Sequence, residues 1–536
     1  MKSKLLFLLL ALNFSLVKFA AAQLYNNGGV MTVANGAFVM VTGDLKNTAG
    51  TLTNNGKIEV QGNFINSGTY NSILNNDSLV MSGAGIDTLT GGGAIFNYLT
   101  INKTSSNDIV RLGGTTILNT KLDYLSGLFT TDPLLNPTFT LTSPLSTVYN
   151  FAAGKEIIGS VKRTGWANGI VCVFNQSNMQ VTTAGGTNPI DLTVTMLPQT
   201  GGGNPSQNER EVTRSFKFAQ TAGTGFTANI RYPYLTTELN TNTEANLVPW
   251  KLVSSEWNGL TNGATRDLVA HFVNYSGIPA ADLTQEWKLA DPRYTFNVTA
   301  YLRGPWNGVS AMNTALNTAG IIPLTQPYNV TPFNYAGTEN VASIPNVNVV
   351  DWVLVEHRKP STNLPADAIS ATITGRKAAF LLNTGLVVEL DGVTPIAFDI
   401  TKQGNAFLTI RHRNHLGVMS NIIPSNTAGT FTNDYTVLAN SYMASGAATS
   451  PVVLLAGGKY GMWAGDANKS GNIAASDISA VKAAVASSST GYLLTDVNLS
   501  ANIAASDISL TKLTISSSAT GSTPARQKLI ETNIPQ

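Results

Sequence analysis

A single cysteine, Cys172, stands in 536 residues. An internal disulfide framework is therefore excluded, and the chain must hold itself by burial, backbone pairing or bound metal. Histidine is nearly as scarce: His271, His357, His412 and His415 are the only four. Charged residues make up 12% and the formal net charge is +2, so there is no electrostatic footprint for nucleic acid or anionic lipid. Past residue 22 no apolar run approaches the roughly 20 residues needed to cross a bilayer. The nucleophile elbow G-x-S-x-G, the zinc helix H-E-x-x-H and a phosphate-cradling glycine loop are all missing. Long helical periodicity is missing before residue 460.

What is present begins with a leader. Lys2 and Lys4 precede an apolar run from Leu5 to Val17, and Ala20-Ala21-Ala22 offers a small-residue cleavage site before Gln23. The pattern predicts a signal peptide over residues 1–22 and a secreted, extracellular or cell-surface product. Its removal takes three lysines and no acids, leaving 30 basic against 31 acidic residues, a net charge near −1.

Asn, Thr, Ser and Gly dominate the rest, a composition of strands and tight turns, and the expected class is mostly β. Over 23–150 the chain repeats itself. "VMVTGDLKN" (Val39 to Asn47) aligns with "IEVQGNFIN" (Ile58 to Asn66), and "LVMSG" (Leu79 to Gly83) follows at about twice the period. Short alternating strands recurring near every 20 residues predict a β-solenoid, whose coils bury their faces only against their neighbours. Solenoid edges that stack end to end would permit self-association. Longer strands with one polar face then predict two β-sandwich-like domains, over 151–292 and 293–458. A repeat pair over 459–515 and a flexible tail over 516–536 complete the expected organisation.

The repeat pair carries the chemistry. "GDANKSGNIAASDIS" (Gly465 to Ser479) returns thirty residues later as "TDVNLSANIAASDIS" (Thr495 to Ser509). Counting from Asp466, oxygen-bearing side chains fall at positions 1, 3 and 5 (Asp466, Asn468, Ser470), with Gly471 at 6, Asn472 at 7 and Asp477 at 12. This is the spacing by which a 12-residue EF-hand-type loop wraps a hard cation, with a glycine for the sharp turn. The second copy supplies Asp496, Asn498, Ser500, Asn502 and Asp507, but has Ala501 in place of glycine, where a positive φ costs about 1 kcal/mol. Two carboxylates per loop predict weak Ca²⁺ binding, roughly 10⁻⁴–10⁻³ M. The same spacing also fits a pair that folds without metal. Ile473 and Ile503, at position 8, are expected to pack on each other, and each loop is expected to run into a short helix.

Other candidates have structural explanations beside the chemical ones. His412 and His415 sit three apart on an expected strand, so they face opposite ways unless the chain turns between them. The run Glu356, His357, Arg358, Arg411 and Arg413 reads as a cross-strand polar network, and Asp351 as one half of an ion pair. Trp250, Trp257, Trp287 and Trp306 suit a sugar platform or, more simply, a core.

Two resemblances add to this. "YLRGPWNG" with Met312, "IIPLTQPYN" (Ile321 to Asn329), "VVDWVLVEHR", "RKAAFLL", "ELDGV" and "RHRNHLGVM" together resemble a module of secreted multi-domain surface proteins of Bacteroidota-type bacteria. That resemblance implies a surface or secreted location. The sorting domain that commonly ends such proteins is not matched by "GSTPARQKLIETNIPQ". The paired loops, which end in Asp and lack an entering helix, resemble dockerin repeats, with Lys482 and Lys512 matching a lysine common in the dockerin helix. They depart from the pattern at Ser470 and Ser500, at the Ala-Ser pairs 475–476 and 505–506, and at Ala483 and Leu513. The expected function is a non-catalytic structural or adhesion protein stabilised by calcium, whose partner is an extracellular glycan or a surface protein. The alternative is a component of a polysaccharide-degrading system that docks or binds carbohydrate. A hydrolase using His412 and His415 is a third reading.

Overall fold

The computed structural model describes residues 22–72, 76–131, 139–198, 211–400, 406–422, 430–517 and 530–536. The leader read over 1–22 thus lies, but for Ala22, outside the described residues. The protein is mostly β, with 44% strand and 10% helix, and contains a β-solenoid of about six turns and a curled sheet. Two compact units divide the chain. The first holds 1–198, 216–232 and 276–284, and the second holds 199–215, 233–275 and 285–536.

In the first unit the 20-residue period becomes parallel strand stacking. Val39 registers with Ile58, Ile58 with Leu79, Leu79 with Leu99 and Leu99 with Leu122, one rung per coil. A second wall stacks Leu24, Leu45, Phe64, Leu89 and Leu112. Alternation along each strand turns every second residue into the lumen, and Ile58, Phe64, Leu89 and Leu99 are all buried there. Polar residues are admitted at a corner only as a ladder. Asn26 donates to Asn47 Oδ1 at 2.9 Å, Asn47 donates to Asn66 Oδ1 at 2.7 Å, and Asn66 donates to the Gly91 carbonyl at 2.9 Å. Each buried amide is satisfied by the coil above it. Elsewhere in the solenoid, buried polar pairs join Lys103 to Asp87 and Asn97 to Asp77.

The solenoid runs further than the sequence rhythm indicates. Ile157–Thr164, which reads as a sandwich strand, stacks in parallel on Thr140–Pro144 with Leu141 opposite Val161. Its other edge pairs antiparallel with Asp191–Pro198. That switch of direction ends the stacking, because the next strand no longer presents a parallel template. The rest of the unit is antiparallel: Gln180–Ala184 lies between Cys172–Val173 and Thr227–Pro233.

The second unit is built on Val349–Arg358, whose ten residues are all buried. It is central to an antiparallel five-stranded sheet with Ile373–Leu382 on one side and Phe407–Arg411 on the other. A three-stranded sheet, Ile396–Asp399, Arg293–Thr299 and Thr430–Asp434, shares one apolar core with it, including Phe296, Val353, Phe380 and Phe431. A strand covered on both faces has no solvated side for charge, so its polar residues must be paired. Glu356 accepts bonds from Arg376 and Arg358, each at 2.7 Å, with Arg411 a further 3.2 Å ion-pair partner. Six of the seven tryptophans are buried, and Trp306 is packed against Tyr301 with its indole N–H on the Ala456 carbonyl.

The tail expected to be flexible over 516–536 does not behave as one at its end. Ile530–Glu531 forms a strand against Asn472–Ile473, and Ile530 and Ile534 are buried. Residues 518–529 lie outside the described set. The physical reason is apolar: Ile530 enters a cluster with Ile473, Leu416 and Trp463.

Candidate functional site

The two 12-residue loops fold alike, bond for bond. In the first, Asp466 Oδ1 and Asn468 Oδ1 both accept from the Ser470 amide, at 2.8 and 2.9 Å, and Asp466 Oδ2 accepts from the Gly471 amide at 3.0 Å. Asp477 reaches back to accept from the Asn468 amide at 3.3 Å and from the Ala474 amide at 2.9 Å. In the second, Asp496 and Asn498 accept from Ser500 at 3.0 Å each, and Asp496 accepts from Ala501 at 2.9 Å. Asp507 accepts from Asn498 at 3.1 Å and from Ala504 at 2.9 Å. Ser470 and Ser500 each donate to the carbonyl at position 7, of Asn472 and Asn502. All ten predicted site residues are therefore gathered, five to a loop.

Asp477 and Asp507 also satisfy the first free amides of the helices that follow, Ala475–Ala486 and Ala505–Ser517. Negative charge is favoured at that end of a helix. Val481 from the first helix, Ile508 from the second and Val497 between them pack together, while Lys482 and Lys512 are exposed. Ala501 has φ +65° where Gly471 has φ +77°, so the second loop makes the same turn with a side chain in the strained region.

The acidic groups are out of water. Burial pushes the Asp466 carboxyl up to about 6, with the Asp477 charge adding to the rise against the Gly471 and Ser470 amides. Burial likewise raises Asp496 to about 6; Asp507 adds to it, while the Ser500 amide and Arg413 oppose it. Asp477 is raised by burial as well. Each loop thus holds two carboxylates, an amide oxygen, a hydroxyl and a backbone carbonyl, an all-oxygen donor set that fits a hard cation such as Ca²⁺. Among the described residues no group of three or more His, Cys, Asp or Glu is placed to hold a metal. The fit therefore rests on mixed oxygen donors.

The strand partner of Asn472–Ile473 is Glu531–Ile530, not Asn502–Ile503. The expected contact between the two position-8 isoleucines is replaced by Ile473 on Ile530. A sequence search for the twin has no means of finding a partner 57 residues away in an otherwise polar tail.

A second feature lies at the histidines. The strand Phe407–Arg411 stops before the histidines, and the chain turns, so His412 and His415 meet with their Nδ1 atoms 3.1 Å apart. Of the two arrangements the spacing leaves open, opposite faces of a strand or a turn between them, the structure has the turn. His412 Nε2 lies 3.2 Å from Asp351, whose Oδ2 also accepts from Arg413 at 2.8 Å and whose Oδ1 accepts from the Tyr492 hydroxyl at 2.5 Å. Burial works to raise the Asp351 carboxyl, but Arg413 and the His412 and Tyr492 bonds outweigh it and hold it at about 2. His415 Nε2 accepts from the Gly304 amide, and Asn414 donates to the carbonyls of Leu494 and Asp496 at 3.0 and 2.8 Å. The His-Arg-Asn-His segment is a buried latch onto the second loop. A cleft of about 620 Å³ lies beside that loop, walled by Asn313, Thr314 and Thr318 opposite Asn498, Ser500 and Ala501.

Comparison with family models, with characterised proteins and with solved structures gives no match for this chain. Among the described residues no helix is long and apolar enough to cross a membrane.

Proposed function

We propose that this chain is an exported β-scaffold of the bacterial surface or its medium, acting in structure or adhesion. Its C-terminal loops each clasp a Ca²⁺ ion and so fix the end of the second unit. The carrying observation is the repetition of the carboxylate geometry, Asp466 with Asp477 and Asp496 with Asp507, on the same backbone amides in both copies. Two buried carboxylates facing one loop repel each other, and a divalent cation relieves that repulsion. In the first loop Asp466, Asn468, Ser470, the Asn472 carbonyl and Asp477 would hold the ion; Asp496, Asn498, Ser500, the Asn502 carbonyl and Asp507 are their counterparts. The ion supplies charge neutralisation and cross-linking, and stabilises the fold by mass action where calcium is plentiful. The leader supports export, and the buried engagement of His412, His415 and Asp351 supports a structural rather than hydrolytic role for the latch.

A dockerin-type reading of the pair has its own support. Lys482 and Lys512 stand exposed at equivalent places on the two helices, available to a protein partner. That partner would belong to a polysaccharide-degrading assembly, and a pull-down with cohesin-like modules tests it. Of the four tryptophans named for a glycan platform, Trp250, Trp257 and Trp287 are buried, which counts against that version.

Calorimetric titration with Ca²⁺ tests the main reading: two weak sites are expected, with a melting temperature that drops in chelator. Absence of calcium heat together with an unchanged melting temperature rejects it.

A further inference from the structure

We propose that Ile530–Gln536 is a strap that completes the first loop in place of its twin, so that strap docking and ion binding at the first loop form one linked equilibrium. The second loop takes its ion without it. This rests on the calcium reading above.

The pairing is antiparallel, with Ile473 opposite Ile530, and the Thr532 amide donates to the Gly471 carbonyl at 3.0 Å. In such a ladder, bonded pairs alternate with unbonded ones, so Ile473 and Ile530 exchange bonds while Asn472 turns its N–H and C=O away from the strap. The ladder thus leaves the position-7 carbonyl, the one backbone oxygen an EF-type loop offers its ion, facing the loop, and holds by backbone pairing the orientation that the second loop reaches without it. There the Asn472 carbonyl meets the Ser470 hydroxyl at 3.2 Å. Asn502 and Ile503 lie outside any strand, so the second loop lacks this brace.

The strap is held along its length. Ile530 is fully buried, the Thr532 hydroxyl donates to the Gly417 carbonyl at 3.1 Å, and Asn533 accepts from the Ala444 amide at 2.9 Å. Ile534 sits against Gly417, where an added Cβ would lie 2.6 Å from its Cδ1. Arg358 donates to the Pro535 carbonyl at 2.9 Å, tying the strap to the central strand. Fixing the loop backbone before the ion arrives favours binding, and by reciprocity the bound ion favours the docked strap.

The test uses the full chain and CaCl₂. Asp507→Asn leaves the first loop as the working site, and Asp477→Asn leaves the second. Adding Ile530→Ser is expected to weaken calcium binding about tenfold in the first background and to change it by less than about twofold in the second. In the unmutated chain, hydrogen exchange at 530–536 is expected to slow with calcium, following the first-loop occupancy. Strap amides indifferent to calcium, or an Ile530→Ser effect equal at both loops, overturn the linkage and leave calcium binding standing. No calcium binding at all overturns the linkage together with the reading it rests on.

Discussion

The side-chain amide of Asn414 donates to the main-chain oxygen of Asp496 at 2.8 Å, and to that of Leu494 at 3.0 Å. The opening position of the second loop is thus held from the bend that follows the Phe407–Arg411 strand, in the core of the second unit. Asn414 is fully buried, so its removal strands the buried Asp496 carbonyl and takes a donor from the half-buried Leu494 carbonyl. Asn414→Ala is expected to lower stability by about 1–3 kcal/mol in urea unfolding. Calcium binding at the second loop should weaken with it, while the first loop, which Asn414 does not brace through its side chain, keeps its affinity.

The two loops differ at the sixth position in a way that allows a reciprocal exchange. Ala501 holds φ +65° and Gly471 holds φ +77°, a region where a Cβ costs about 1 kcal/mol. A Cβ built on Gly471 meets only the Thr532 methyl, at 3.8 Å, so the cost there is conformational and not steric. Ala501→Gly is expected to raise the melting temperature and tighten the second site, and Gly471→Ala to do the reverse at the first by about the same amount. Calorimetry on both variants checks it; equal and opposite shifts are the expected signature.

The features legible in the sequence were those whose partners lie nearby. Val39, Ile58 and Leu79 announce the solenoid because each coil repeats its neighbour, and Asp466 to Asp477 announce a loop because all its donors lie within twelve residues. Long-range pairings left no such trace. Val161 looks like any alternating strand until its parallel partner Leu141 is known. Ile530 looks like part of a polar tail until Ile473 is opposite it. For His412 and His415 the sequence left a strand and a turn both open; the turn is held through Asp351 and Gly304, residues 61 and 111 positions away.

In the solenoid the Asn ladder is the place where a single change should be felt. Asn47 is fully buried; it accepts from Asn26 and donates to Asn66 and to the Thr69 carbonyl, the last at 3.0 Å. Asn47→Ala takes an acceptor from Asn26 in the preceding coil and a donor from Asn66 and the Thr69 carbonyl in the following one, an expected loss of about 1–3 kcal/mol. The effect should stay local to neighbouring coils, because each coil contacts only the next. Faster hydrogen exchange at the Ser67 and Gly68 amides, which bond to the Asn47 carbonyl, is the readout.

Acid should destabilise the second unit through His357. Its ring is fully desolvated between Phe296 and Phe398, and burial, with Lys359 adding to it, lowers its pKa from 6.5 to about 4. Between those values the unfolded chain binds a proton that the folded chain refuses. The contribution is complete above about pH 6.5 and is lost as pH falls toward 4, with a limiting slope of about 1.4 kcal/mol per pH unit for one proton. His412 and His415 are depressed by burial too and act in the same direction. Asp466 and Asp496, raised to about 6, act oppositely in metal-free protein, since there the folded state takes the proton first. Comparing the parent with His357→Phe cancels those common contributions. Urea unfolding at pH 7, 6, 5 and 4.5 should show the variant's curve flatter by close to one proton, and identical slopes would mean that His357 charges freely in the folded state.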